Sequence, residues 1–168
     1  MSIVVMANLI SMVGCVLMVA VGFLQKKHQI LLVQCVQFAI QGTAHILLGA
    51  GTGFVSSVVG IVRNLIFVRK ENTGNLKLLV IAIQVAISLY VGIHGFIDWF
   101  PIFAAVLFTW CLDTKSEVRL KLVIITAQVM WFLYDYVYIN YVGCVFDGLT
   151  ILSNTIGICM ILWKSRRA

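Results

Sequence analysis

Apolar runs of about 20 residues, each closed by a short turn, recur along the whole chain, and that is the length a helix needs to cross a bilayer core. The runs cover 3–25, 29–49, 52–68, 77–93, 97–112, 119–140 and 143–163. With 62% hydrophobic and 11% charged residues among 168, against roughly 25% charged in a soluble domain, the apolar surplus has to face lipid. A sizeable extramembrane domain, a soluble nucleotide-binding fold and a long catalytic loop are excluded on length alone. The predicted fold is all-α and transmembrane, one polytopic domain of seven helices.

The positions of the charges orient it. Lys26 and Lys27; Arg69, Lys70 and Lys77; Lys115, Arg119 and Lys121; and Lys164, Arg166 and Arg167 occupy alternate turns and the C-terminal tail. The intervening turns, Gly49–Gly53, Gly95–Phe96 and Asn140–Val142, carry no Lys or Arg. Basic turns stay in the cytoplasm, so the N-terminus is expected outside and the C-terminus inside. The net charge of +6 is thus a topology signal, and no nucleic acid partner is expected. Met1–Leu9 lacks a basic n-region, so the first helix is expected to stay uncleaved. Trp99, Trp110 and Trp163 fall at predicted boundaries, where the indole ring is favoured; Trp131 lies near mid-span. Cys15, Cys35, Cys111, Cys144 and Cys159 are scattered singly, which suits small packing residues and gives no metal site.

Two segments look alike. Gln34, Gln37 and Gln41, with His45 one turn on, form a polar stripe at helical spacing, and Gln128, Trp131 and Asp135, followed by Tyr138, hold the same offsets. Ser56-x-x-x-Gly60 recurs as Ser153-x-x-x-Gly157. The spacing predicts two parallel three-helix units, 3–68 and 97–163, joined by a linker helix 77–93 in a 3+1+3 plan.

That plan resembles the SWEET/PQ-loop (MtN3-like) superfamily of seven-helix proteins. More closely, His45-Ile46-Leu47-Leu48-Gly49-Ala50-Gly51-Thr52-Gly53 followed by Gly60-Ile61-Val62-Arg63-Asn64-Leu65-Ile66-Phe67 looks like the YgjV-type bacterial inner-membrane family. The resemblance extends over essentially the whole chain and implies the fold and an inner-membrane location. The superfamily's Pro-Gln signature reads Leu24-Gln25 here. Without that proline hinge, sugar as the substrate is in doubt.

Ionisable groups inside a membrane are costly and usually face a bundle interior or a water-filled cavity. Arg63 is the one basic residue outside the cytoplasmic clusters, roughly 9 Å deep from Arg69 at 1.5 Å per residue. It either snorkels to the headgroups or serves a pocket. Asn64 cannot snorkel and needs a partner. Asp135 sits a little outward of the midplane, roughly 12 Å from Arg63 along the axis. An ion pair between them needs tilt or a bridging solute; a protonated Asp135 coupling proton movement is another reading. The Gln stripe with Trp131, Tyr134 and Tyr138 suits a polar or heteroaromatic solute, or interhelical hydrogen bonds alone. Gln84 and Asn154 belong to the same set.

His45, His94, Asp98 and Asp147 fall near the outer face, where a zinc-dependent hydrolase would gather ligands. Asp98 and Asp147, however, read as helix starts, where the dipole favours a carboxylate. No Lys lies in the middle of a span to form a Schiff base, since Lys77 and Lys121 fall at span ends. The expectation is therefore a transporter of a small polar solute and not an enzyme, with no cofactor and no metal. Gln41, Arg63, Asn64, Trp131, Asp135, Tyr138 and Asn154 are the expected solute-binding residues. A non-transporting receptor or structural protein is the alternative, and the hydrolase comes third. Expected partners are the lipid bilayer and the solute; self-association into a homo-oligomer is compatible with this reading.

Overall fold

The computed structural model describes residues 2–21, 23–24, 26–69, 74–112, 114 and 116–165. Gln25, Lys70, Lys115, Arg166 and Arg167, used above for the signature and the charge pattern, lie outside the described residues. Seven α-helices follow one another, with no strand among the described residues: α1 (Ile3–Val21), α2 (Lys27–Leu47), α3 (Gly51–Arg69), α4 (Gly74–Val91), α5 (Trp99–Cys111), α6 (Glu117–Val137) and α7 (Tyr141–Ser165). Six of them are long and apolar enough to cross a membrane. The run predicted over 97–112 departs from this. Its α-helix has 13 residues, about 20 Å against a hydrocarbon core of about 30 Å, and a 3-10 turn, Phe96–Asp98, precedes it. Pro101 is the third residue of α5, in the first turn, where a missing N–H breaks no helical bond.

The termini of α2 and α6 show how local chemistry sets the bounds. Ser116 caps α6 by accepting from the Arg119 backbone N–H at 3.3 Å, and Glu117 follows in the first turn, where a carboxylate complements the helix dipole. Both helices end in the same left-handed motif. Gly49 (φ 71) and Ile139 (φ 60) adopt positive φ. The N–H of Ala50 reaches the His45 carbonyl and that of Asn140 reaches the Asp135 carbonyl, each at 2.9 Å. These are Schellman caps. They fix the carbonyls of His45 and Asp135 and hence where those side chains leave the helix.

The helix bounds share one numerical offset. Adding 90 to the bounds 27–47 of α2 gives 117–137, those of α6; adding 90 to the start of α3, 51, gives 141, that of α7; and adding 90 to the end of α1, 21, gives 111, that of α5. The pairing read from the sequence has offsets of 94 (Gln34 with Gln128) and 97 (Ser56 with Ser153), which differ from this one by four and seven residues. A helix has the same face at i, i+4 and i+7, so a stripe slipped by one or two turns matches almost as well. In the structural register Gln41 corresponds to Trp131, His45 to Asp135, Gly53 to Gly143, and Asn64 to Asn154.

Packing follows the chain. α2 lies against α1 and α3, α6 against α5 and α7, α1 against α7, α3 against α5, and α4 along α3 and α5. Large apolar side chains such as Val58, Val62 and Leu65 of α3 face outward, while Arg63, Asn64 and Ser56 of the same helix are buried. A membrane helix is expected to be arranged this way. Where the basic turns lie, Val21, Leu31, Phe67, Phe108, Leu120 and Ile124 form an apolar cluster that closes one end of the bundle. Lys121 reinforces it by donating to the Leu24 carbonyl at 3.2 Å, and Lys77, which belongs to α4, by donating to that of Trp110 at 2.9 Å. The opposite end is tied by polar contacts. There Asn8 donates to the Ile139 carbonyl at 3.1 Å and accepts from the Val142 N–H at 3.0 Å.

Candidate functional site

Between the two ends lies a cavity of about 60 Å³. All helices but α4 contribute to its wall. At its end away from the basic turns His45 Nε2 and Asp135 Oδ1 are 2.9 Å apart, with both side chains buried. Asn140, positioned by the Schellman turn, donates to the other oxygen of Asp135 at 3.1 Å. Trp131 stacks on the imidazole at 5.3 Å and 12°, and Tyr134 meets it edge-on at 5.9 Å. Gly143 makes room for this arrangement, because a Cβ there would collide with the carboxylate of Asp135 and the amide of Asn140. Its repeat mate Gly53 does the same for Tyr134, whose ring carbon would lie 2.7 Å from an added Cβ.

Arg63 stands at the end nearer the basic turns. It is buried, not snorkelling. Asn64 accepts from its Nε at 3.0 Å and its Nη2 at 2.9 Å, and its guanidinium lies over the Phe108 ring at 4.5 Å, a cation–π contact. Asn64 in turn donates to the Leu31 carbonyl and the Gln34 side chain, each at 3.2 Å. No described carboxylate lies within ion-pair distance of Arg63. A cation and a carboxylate pair thus face the same cavity from opposite ends without touching.

The wall between them is amide-rich, and it is incompletely satisfied. Gln34, Gln37, Gln41 and Gln128 line it. Gln41 donates to the Cys15 sulfur at 3.3 Å, and Gln128 donates to Asp147 Oδ1. Four cavity-lining residues each carry a buried atom with no partner: Gln41 Oε1, His45 Nδ1, Asp147 Oδ2 and Thr150 Oγ1. Buried polar atoms nearly always have a partner, protein or water. Four side chains with an unmet polar atom around one small cavity therefore mark a place for water or a polar solute.

The residues expected from sequence separate into two groups. Gln41, Arg63, Trp131 and Asp135 line the cavity. Asn64, Tyr138 and Asn154 do not: Asn64 holds Arg63, Tyr138 donates to Asp98 Oδ1 at 2.6 Å, and Asn154 donates to the Thr150 carbonyl at 2.9 Å. Trp131 stacks on a histidine, where a solute had been expected. Tyr138 lies beyond the end of α6; burial, followed by its hydrogen bond to Asp98 and that carboxylate's charge, pushes its phenol up to about 12. Asp98 also accepts from the His94 and Gly95 N–H groups, so it organises the turn before α5. Gln84 donates to Ser56 at 2.8 Å and ties α4 to α3.

Two cavity residues, His45 and Asp147, lie outside the expected solute-binding set. His45 and Asp147 had been grouped with His94 and Asp98 at the outer face, and the structure does not bring those four together. Asp147 is not at a helix start either, since α7 begins at Tyr141 and carries it more than a turn inward. For His45 the signal was present, one turn beyond Gln41 on the same stripe. Among the described residues no group of three or more His, Cys, Asp or Glu is arranged to hold a metal ion.

Comparison with known proteins gives one match. A family model described as Imp-YgjV, bacterial inner membrane protein, matches residues 5–164. No curated protein and no solved structure matches the chain.

Proposed function

The chain belongs to the Imp-YgjV family of bacterial inner membrane proteins, and on that footing we propose that it moves a small polar solute across this membrane through the cavity between Arg63 and the His45–Asp135 pair. The observation that carries the reading is the set of unpartnered atoms on Gln41, His45, Asp147 and Thr150 around one cavity. Each such atom costs about 1–3 kcal/mol when unmet, and of the seven found among the described residues four belong to side chains lining this cavity, the others being on Ser11, Gln84 and Asn154.

In this reading α1–α3 and α5–α7 are two parallel units related by the 90-residue offset, α4 links them in a 3+1+3 plan, and transport is a rocking of one unit on the other. The resemblance to the SWEET/PQ-loop superfamily implies the same plan. The basic turns set the cytoplasmic side, so the apolar cluster is the inner gate and the Asn8, Tyr134 and Asp98 contacts form the outer one. Arg63 would hold an anionic or carbonyl group of the solute, the Gln amides its hydroxyl or amide groups, and the carboxylates its cationic or donor end. The cavity of about 60 Å³ is well under the ~150 Å³ that accepts a benzene. The cavity as it stands therefore admits waters or a very small solute, and a larger one needs the helices to part.

The test is uptake into proteoliposomes from a mixed metabolite pool. Wild type is expected to accumulate a polar solute, and Asp135→Asn and Arg63→Met are expected to lose most of that uptake. No accumulation above empty liposomes, or full activity in both variants, would favour a non-transporting receptor or structural protein of the same fold.

A further inference from the structure

The outer half of the cavity carries more acid than a solute cradle needs. Asp135 and Asp147 both line it, one from α6 and one from α7. Asp135 rests against Gly143, and Asp147 is one turn deeper than Gly143 on the same helix face, about 6 Å along the axis. Asp135 is well met, by His45 and Asn140. Asp147 is not: Gln128 donates to its Oδ1, while its Oδ2 is buried without a partner. The imidazole of His45 likewise leaves Nδ1 bare. A carboxylate oxygen buried away from water and unpaired is costly in a bilayer. One such oxygen, on a helix packed against a second buried carboxylate and its imidazole partner, has one simple chemical remedy, which is a proton.

Among the described residues, the surroundings supply no competing cation for Asp147. Facing this region are Cys15 from α1, Gln41 and His45 from α2, Gln128, Tyr134 and Asp135 from α6, and Cys144 from α7. The lining that α5 contributes is Ala104, Ala105 and Phe108, with no titratable group. Arg63, the cation of α3, is committed to Asn64 at the other end. Room for on the order of four waters at 10–15 Å³ each gives the proton a path between the three groups. It leaves no space for a hydrated metal ion.

We propose that Asp147, Asp135 and His45 form a proton-binding site in which one exchangeable proton is shared across the cavity, making H⁺ the ion coupled to transport. Binding forms one O–H bond on a carboxylate as the proton enters from one side. Release breaks that bond toward the other side, with no other bond changed. Coupling rests on the transport reading above, whereas the proton site does not.

The site is tested on the full chain in lipid nanodiscs, with no solute. Infrared difference spectra between about pH 5 and 8 are expected to show a carboxyl C=O band that grows on acidification. Asp147→Asn should remove it. Asp135→Asn, by deleting a neighbouring negative charge, should move its midpoint down by about one pH unit. Trp131 gives a second readout, because an imidazolium stacked on an indole quenches its emission. Acid quenching is therefore expected in wild type, to be lost in Trp131→Phe and His45→Gln. A wild-type spectrum with no titrating carboxyl band, or one unchanged in both Asn variants, overturns the proposal. Titration together with absent solute flux would sink the transport reading alone.

Discussion

Tyr134 offers the sharpest energetic test of how the outer end is closed. Its hydroxyl, on α6, accepts from the Gly53 N–H at 2.9 Å and pairs with Thr52 Oγ1 at 3.0 Å. Both partners are in the first turn of α3, where N–H groups have no intrahelical acceptor. One side chain therefore caps a helix in the other half of the chain. Tyr134→Phe keeps the ring, and with it the contacts to His45, Trp131 and Tyr138, so it opens no cavity. What it removes is two hydrogen bonds. Side-chain bonds in membrane proteins average about 0.6 kcal/mol, and a buried N–H left bare costs about 1–3 kcal/mol. The sum is about 2 kcal/mol, roughly a 30-fold change in the folding equilibrium. Denaturant titration in mixed micelles would measure it, with Thr52→Val expected to cost only about 0.6 kcal/mol. A Tyr134→Phe cost under about 0.5 kcal/mol would mean that water replaces the hydroxyl at once, and the outer end would then be open.

Other expectations follow from single contacts. Ile139→Gly should stabilise by about 1 kcal/mol, because a β-branched residue at φ 60 carries a left-handed penalty of about 1–2 kcal/mol; a loss on thermal melting would contradict the cap assignment. Arg63→Lys should restore little of what Arg63→Met loses in uptake, since Asn64 accepts from two guanidinium nitrogens at once and an ammonium cannot reproduce that fork. The Tyr138–Asp98 bond makes stability depend on alkaline pH. The phenol is raised in the folded state from 10.0 to about 12, so its contribution is complete below about 10 and disappears as pH rises through about 12. Tyr138→Phe should flatten that part of the melting profile.

The helices were legible because their signal is redundant. Every span repeats the message in some 20 apolar residues, and Gly49 marks the end of α2 without ambiguity. The equivalent cap at Ile139 was invisible, since nothing about isoleucine suggests a left-handed turn. Pairing within the repeat was harder still. Turn-length slips preserve a helical face, so only the bounds of the helices, and not their stripes, fix the offset of 90. Arg63 and Asp135 stood out as charges the topology did not require, and both line the cavity. Their further partners could not be read, because His45 and Phe108 become neighbours only through packing. Asp147 was hidden for the opposite reason. Placed near a boundary, it had a sufficient explanation in the helix dipole, and the few residues by which the start of α7 was misjudged moved it from the rim into the interior.

Alternating access to the cavity is the central claim, and it can be tested without knowing the solute. Thr150 lines the cavity, and its hydroxyl has no partner, so Thr150→Cys in a background lacking the five native cysteines reports on access. Exposed Asn75→Cys serves as the reactive control. The account predicts that a membrane-impermeant thiol reagent modifies position 150 when added to either side of a sealed vesicle, and that it modifies position 75 from one side only. Protection of position 150 from both sides, with position 75 fully labelled, would contradict it.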